Sequence, residues 1–332
     1  MEESPFNRRR LLALGTAVTT PAILGTRATA QTILPERGLR VLVGFQANGG
    51  TDIIARLIAT QLQRRLGRHV VVENKPGDAG AVPGELVKKG STDGSTLAFL
   101  ASTTLVSRLG QANFPFDPLV DLAPISLAGN WPMGLAVSPK LGISTFEEYL
   151  SYLKSDDADR RKLGTTASDA FIQAFNLMFS KELGITMKGV PFRGAAALVG
   201  DLADGRIPAA VSGMVSLLQH HRGGRVKLLM TTGNKRLAAA KGIPTARELG
   251  YTGLEVTEWF AYFARAGTAA LVIDEWNRLI RTVLDDDNLK GELVQLGLDV
   301  ETSTPQEVAE RIRSHQKEWK ARMQSVGMPS IN

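Results

Sequence analysis

The order of segments over residues 40–73 constrains the fold most strongly. Arg40-Val41-Leu42-Val43-Gly44-Phe45 is an apolar run of strand length. From Asp52 onward, Ile53, Ile54, Leu57, Ile58, Gln61, Leu62 and Leu66 recur at helical spacing, and Gly67 is placed to cap the helix. His69-Val70-Val71-Val72-Glu73 is a second run of strand length. Strand, helix and strand in this order form a βαβ unit, whose strands pair in parallel. Later segments repeat the pattern. A short helix over 82–89 precedes a strand at Thr96–Leu100. Gly134–Val137 is strand-like, and a helix over 145–154 follows with Ser144 as its N-cap. A strand at Lys162–Thr165, a helix over 171–183, an extended Val190–Phe192 and a helix over 196–203 come next, then strands over 209–211 and 226–230. The tail reads as helices over 271–284 and 289–296 and a last one that starts at an N-capping Thr304 and runs to about Val326. This alternation predicts an α/β fold with doubly wound parallel sheets.

A chain of 332 residues is long for one domain, so two α/β domains are expected. Arg8-Arg9-Arg10 is followed by an apolar run from Leu11 to about Leu24 and then by Ala28-Thr29-Ala30. A charged stretch, a short apolar stretch and a small-x-small site make the layout of an export signal, here cleaved near Ala30. The apolar run is too short, and too rich in Gly, Thr and Pro, to span about 30 Å of hydrocarbon. Asn7-Arg8-Arg9-Arg10-Leu11-Leu12 resembles a twin-arginine (Tat) motif, although a general secretory signal can also carry paired arginines. The absence of cysteine excludes disulfides, thiolate metal sites and a lipid anchor on a cysteine. The net charge is +6, and residues 1–30 hold four Arg and two Glu, which leaves +4 for the remainder. That balance mildly favours anionic ligands at long range. No basic stripe with interleaved aromatics appears, so nucleic acid is not an expected partner.

Three loops have the makings of an anion site. Phe45-Gln46-Ala47-Asn48-Gly49-Gly50-Thr51-Asp52 lies between a strand and a helix. Its glycines let the backbone approach a ligand closely, and the helix N-terminus offers free N–H groups and the positive end of the dipole. Such a combination holds a carboxylate or a phosphate. The same residues serve equally well as a tight turn with Thr51 or Asp52 as a cap and no ligand. Ala101-Ser102-Thr103-Thr104 and Thr165-Thr166-Ala167-Ser168-Asp169 are small, polar loops at the carboxyl ends of strands, where open α/β sheets bind ligands.

Enzymatic signatures are sparse. His69, His220, His221 and His315 show no metal-ligand spacing and read as solvated or capping side chains. Asp156-Asp157 and Asp285-Asp286-Asp287 read as solvated acidic runs. Neither a nucleophile elbow nor a phosphate-binding P-loop is present, and Gly77-Asp78-Ala79-Gly80 lacks the dinucleotide fingerprint. No cofactor and no metal are expected. An exported hydrolase of an anionic substrate, with Asp52 or Asp169 as its base, is the alternative, and a ligand-presenting sensor module is another.

Several segments, in order along the chain, carry a family resemblance. They are Gly49-Gly50-Thr51-Asp52, Val72-Glu73-Asn74-Lys75-Pro76-Gly77 with Gly80, Asp93-Gly94-Ser95-Thr96-Leu97, Phe116-Asp117-Pro118 and Asp121-Leu122-Ala123-Pro124-Ile125-Ser126. Val190-Pro191-Phe192-Arg193-Gly194, Trp259-Phe260-Ala261 and Ala266-Gly267-Thr268 complete the set. The chain resembles the substrate-binding proteins of tripartite tricarboxylate transporters, the Bug family. The resemblance implies a fold of the periplasmic binding protein type II kind, with two doubly wound α/β domains around a ligand cleft. On that plan residues 31–132 and 257–332 form the first domain and 133–256 the second. It also implies a periplasmic monomer that captures a small carboxylate for a two-subunit membrane permease. Implied ligand-binding residues are Phe45, Gln46, Asn48, Gly49, Gly50, Thr51, Asp52, Ser102, Thr103 and Thr104, with Thr166, Ser168, Asp169 and Ser212 from the second domain.

The chain departs from the family where Gln46-Ala47-Asn48 replaces a proline-containing turn. Ser168-Asp169-Ala170-Phe171 stands where S-x-P-H is common, and Ser212-Gly213 where an acidic residue is common. Asp169 either meets an ammonium or hydroxyl group of the ligand or caps the helix at Phe171.

Overall fold

The strand β1 (Leu39–Val43) leads into helix α1 (Gly50–Leu66), which returns the chain to strand β2 (Val70–Asn74) beside β1. The structure, a computed structural model, describes residues 33–36, 38–155, 157–166 and 169–330. The export-signal reading of residues 1–30 therefore lies outside the described residues. So do Ser168 and Asp156. Helix α2 (Val82–Lys88) crosses to strand β3 (Thr96–Ala101), which pairs in parallel with β1 on its other side. Helix α3 (Ser102–Ser107) follows β3 without a break.

The next strand, β4 (Leu122–Val137), is 16 residues long and belongs to two sheets. Its Leu122–Pro132 stretch pairs with strand β9 (Thr257–Arg265), which lies antiparallel between β3 and β4. Its Met133–Val137 end pairs antiparallel with strands β7 (Ala209–Gly213) and β8 (Lys227–Thr231). In the second sheet, β5 (Lys162–Thr165) pairs in parallel with β6 (Lys188–Pro191) and β7. Helices α4 (Phe146–Leu153), α5 (Ala170–Leu183), α6 (Ala195–Ala203) and α7 (Met214–Arg222) connect these strands. After β9 the chain ends in α8 (Ala270–Leu284), α9 (Asp287–Gln295) and α10 (Pro305–Ser325), and α8 and α10 pack on β4. The strand order is β2-β1-β3-β9-β4-β7-β5-β6, with β8 on β4.

The sheets are therefore mixed, where the alternation of segments predicts parallel pairing throughout. Each half keeps a parallel core of three strands, and β4 and β9 carry the chain out of the first sheet and back. The composition of β4 hides it. Pro124, Gly129 and Pro132 interrupt β4, and the register against β9 shifts at Pro124/Ser126 and at Leu127/Gly129. These are β-bulges, which admit residues that a regular strand excludes.

The crossing between the sheets is pinned by one hydroxyl. Met133 N–H donates to Thr232 Oγ1 at 2.9 Å, and Thr232 Oγ1 donates to the Val256 carbonyl at 2.6 Å. Thr232 N–H in turn donates to the Met133 carbonyl at 3.0 Å.

Helix α10 opens with a capping box of Thr304 and Glu307, as its sequence predicts. Helix α4 is capped by Thr145 in a capping box with Glu148, although Ser144 stands at the same spacing from Glu147. His315 is a second departure. It lies on the stripe Val308, Ile312, His315, Trp319 and Met323, which turns inward at helical spacing, and only 7% of its surface is exposed.

Candidate functional site

A cavity of about 560 Å³ opens where loops from both sheets meet, within the range of small-molecule sites. Four helices of eight residues or more begin on its wall. The α1 start contributes Gly49, Gly50 and Thr51, the α5 start Asp169, Phe171 and Ile172, the α6 start Gly194 and Ala195, and the α7 start Gly213, Val215 and Ser216. At α1, α6 and α7 no side chain caps the first turn. Their first-turn N–H groups and the positive ends of their dipoles are therefore available to an anion. Part of the remaining wall is apolar and aromatic. Trp131 and Met133 come from β4 and Phe260 from β9, and the Trp131 and Phe260 rings stack with centroids 5.3 Å apart.

Of the residues singled out in sequence, Phe45, Gln46, Gly49, Gly50, Thr51, Thr103, Thr166, Asp169 and Ser212 line this cavity. Asn48, Asp52, Ser102 and Thr104 are not on its wall, and each has other work. Asp52 is 1% exposed and accepts from Asn48 N–H at 2.8 Å, from Arg56 Nε at 2.9 Å and from Asn74 Nδ2 at 2.9 Å. It shapes the β1–α1 loop from behind. Desolvation pushes its carboxyl upward, but the bonds from Arg56, Asn48 and Asn74 outweigh that and hold it below the usual carboxylate value. Asn48 itself is exposed, with a left-handed φ of 62° that lets its N–H reach Asp52.

Ser102 faces inward. Its hydroxyl donates to Glu258 Oε2 and accepts from Trp259 N–H at 2.9 Å. Glu258, fully buried on β9, also accepts from Trp319 Nε1 at 3.2 Å and faces His315 Nε2 at 3.2 Å. This cluster ties the α3 start to β9 and α10 beneath the cavity. The Thr104 hydroxyl donates to the Ala79 carbonyl at 2.9 Å.

Asp169 is both cavity wall and helix cap. Its carboxylate accepts from Ile172 N–H at 3.0 Å, and desolvation raises its carboxyl above the usual value against the pull of that bond.

Two loops on the wall go beyond the sequence expectation. The first runs from Pro76 to Gly80 after β2. Gly77, Asp78, Ala79 and Gly80 all have positive φ, at 136°, 46°, 52° and 87°. For Asp78 and Ala79 this conformation is costly, and the Thr104 bond to Ala79 helps to hold it. Gly80 is required there, since a Cβ on it would lie 2.6 Å from Thr104 Oγ1. The second loop, Phe192–Gly194, follows β6. Both stand at carboxyl ends of parallel strands, so the rule that located the other loops also points to them. Trp131 and Met133 lie on the interrupted strand β4, and no loop signal points to them or to Phe260 on β9. Among the described residues, no group of three or more His, Asp or Glu is arranged to hold a metal ion.

Comparison with known proteins bears on this geometry. The family described as the tripartite tricarboxylate transporter family receptor matches residues 54–328. Protein BugT of Bordetella pertussis is 28% identical over 326 residues, which span 97% of this chain and 99% of BugT. The structure of the periplasmic binding protein BugD superposes with a TM-score of 0.82 at 26% identity, over 89% of this chain and 99% of BugD. MatC from Rhodopseudomonas palustris with bound malate superposes with a TM-score of 0.79 at 26% identity, over 87% of this chain and 99% of MatC.

Proposed function

This chain belongs to the tripartite tricarboxylate transporter receptor family, a family of solute-binding proteins, and we propose that its cavity captures a small carboxylate for uptake. The observation that carries the reading is the convergence of the uncapped starts of α1, α6 and α7 on one cavity that also has an aromatic patch on its wall. Backbone N–H groups and helix dipoles bind an anion without a matching buried charge, and so release it readily. The malate bound by MatC is a carboxylate of this kind.

In this reading the carboxylate head sits against Gly49, Gly50 and Thr51, with Thr103 beside it. Thr166 and Ser212 approach from the second sheet, and the body of the ligand lies over Trp131 and Phe260. Residues 31–132 with 257–332 and residues 133–256 act as two lobes that close on the ligand about the crossing at Thr232. The loaded protein then meets a membrane permease of two subunits in the periplasm, after cleavage near Ala30. The cavity acts as a carrier, and its ligand leaves chemically unchanged.

Calorimetric titration with a panel of small mono- and dicarboxylates tests the reading. Saturable binding with recovery of intact acid supports it, and steady conversion of a bound acid to product would replace it with the hydrolase alternative.

A further inference from the structure

Resting on the carboxylate reading above, we propose that Arg193 selects ligands that carry a second anionic group at the end opposite the captured carboxylate. Among the described residues on the cavity wall, Arg193 is the one cationic side chain. The cations around the first-sheet loops are already engaged, Arg56 with Asp52, and Lys75 and Arg40 with Glu73. Arg193 has no hydrogen-bond or ion-pair partner among the described residues.

Its backbone is held in place. Phe192 N–H donates to the Thr165 carbonyl of β5 at 2.7 Å, and Gly194 N–H donates back to the Phe192 carbonyl at 3.0 Å. Arg193 is thus the apex of a three-residue turn fastened to the second sheet. The turn faces the β1–α1 loop, since a Cβ on Gly194 would lie 3.7 Å from Gln46 Cγ.

Size and chemistry favour a ligand with two poles. A cavity of about 560 Å³ far exceeds what one carboxyl group fills. Its aromatic wall would face the middle of a longer molecule. The α1 start and Arg193 belong to elements of different sheets, so a diacid held by both would bridge the two halves. An arginine fork suits a planar carboxylate, which it binds through two parallel N–H bonds. Among the described residues, neither acidic side chain on the wall, Asp78 or Asp169, forms an ion pair with Arg193.

The test uses matched acids: succinate against butyrate, adipate against hexanoate, and terephthalate against 4-methylbenzoate. Each is titrated by calorimetry into wild type, Arg193→Gln and Arg193→Lys. Arg193 is exposed, so the variants should fold, and an unchanged melting temperature without ligand verifies it. Wild type is expected to prefer at least one diacid over its partner. Arg193→Gln should cut that preference by about ten- to a hundredfold and leave the monoacid unaffected. Arg193→Lys should restore part of it. Equal binding of both acids in every pair, or a diacid preference that survives Arg193→Gln, overturns the role of Arg193 and leaves the carboxylate reading standing. Failure of all six acids to bind overturns both.

Discussion

Gly50 of α1 and Val215 of α7 meet on the cavity wall with no room for a methyl group between them. A Cβ on Gly50 would lie 2.4 Å from Val215 Cγ2. The two residues belong to helices of different sheets, so this contact measures how tightly the halves approach around the ligand. Gly50→Ala is expected to cost about 1–3 kcal/mol in carboxylate affinity, the usual scale of overpacking. The unliganded melting temperature should change little if the halves can part. Val215→Ala in the same chain should recover a share of the lost affinity. Strict additivity in the double-mutant cycle would show that the contact is not the cause.

Ser102→Ala separates a structural role from a ligand role. The change leaves the Glu258 carboxylate one donor short and Trp259 N–H without its acceptor, both in buried surroundings. Unfolding in urea should show a loss of about 1–3 kcal/mol. Carboxylate affinity of the folded protein should stay within about twofold, because Ser102 is not on the cavity wall. A loss of affinity at unchanged stability would return Ser102 to the binding site.

Asp52 supplies a pH signature. Its carboxyl is held below the unfolded value of 3.8, so its contribution is complete above that value and is lost as the pH falls through the lower folded one. Asp52→Asn should be less stable than wild type at pH 7 by about 1.5–3 kcal/mol, the worth of hydrogen bonds to a charged group. The gap should narrow as both proteins are taken below the unfolded value. A gap that holds constant into acid would contradict the assigned bonds.

Asp169 carries the opposite sign. Desolvation raises its carboxyl above 3.8, so ionisation costs stability as the pH rises through the interval between the unfolded and folded values. Asp169→Asn keeps a capping oxygen and drops the charge, so at pH 7 it should match or exceed wild type, and any advantage should fade toward pH 4. Asp169→Ala removes the bond to Ile172 N–H and should cost about 1 kcal/mol. Equal losses in both variants would show that the charge, and not the cap, is what the fold uses.

Much of the first sheet was readable because its signals are local. Gly67 ends α1 in a left-handed conformation, and Thr304 with Glu307 starts α10, as their sequences indicate. The loops after β1, β3 and β5 were legible for a related reason, since strand-to-helix transitions leave small polar residues at a cavity rim. The direction of a side chain within such a loop was not legible. Ser102 and Thr103 are adjacent and chemically alike, yet one faces Glu258 and the other the cavity. The course of β4 was hidden by prolines and glycines that a bulged pairing tolerates, and Trp131 with it. The helical stripe of Val308, Ile312, Trp319 and Met323 already turns His315 inward, but its partner Glu258, 57 residues away in the chain, is encoded by no local pattern.

The central claim is that a small carboxylate binds in the cavity beside Gly50. Calorimetric titration of adipate, succinate and terephthalate into wild type and Gly50→Leu, whose side chain would run into Val215 and hold the two halves apart at the anion site, tests it most directly. The account predicts saturable binding of at least one acid, one per chain, and no measurable binding by a folded Gly50→Leu protein. An affinity that is equal in the two proteins would contradict it.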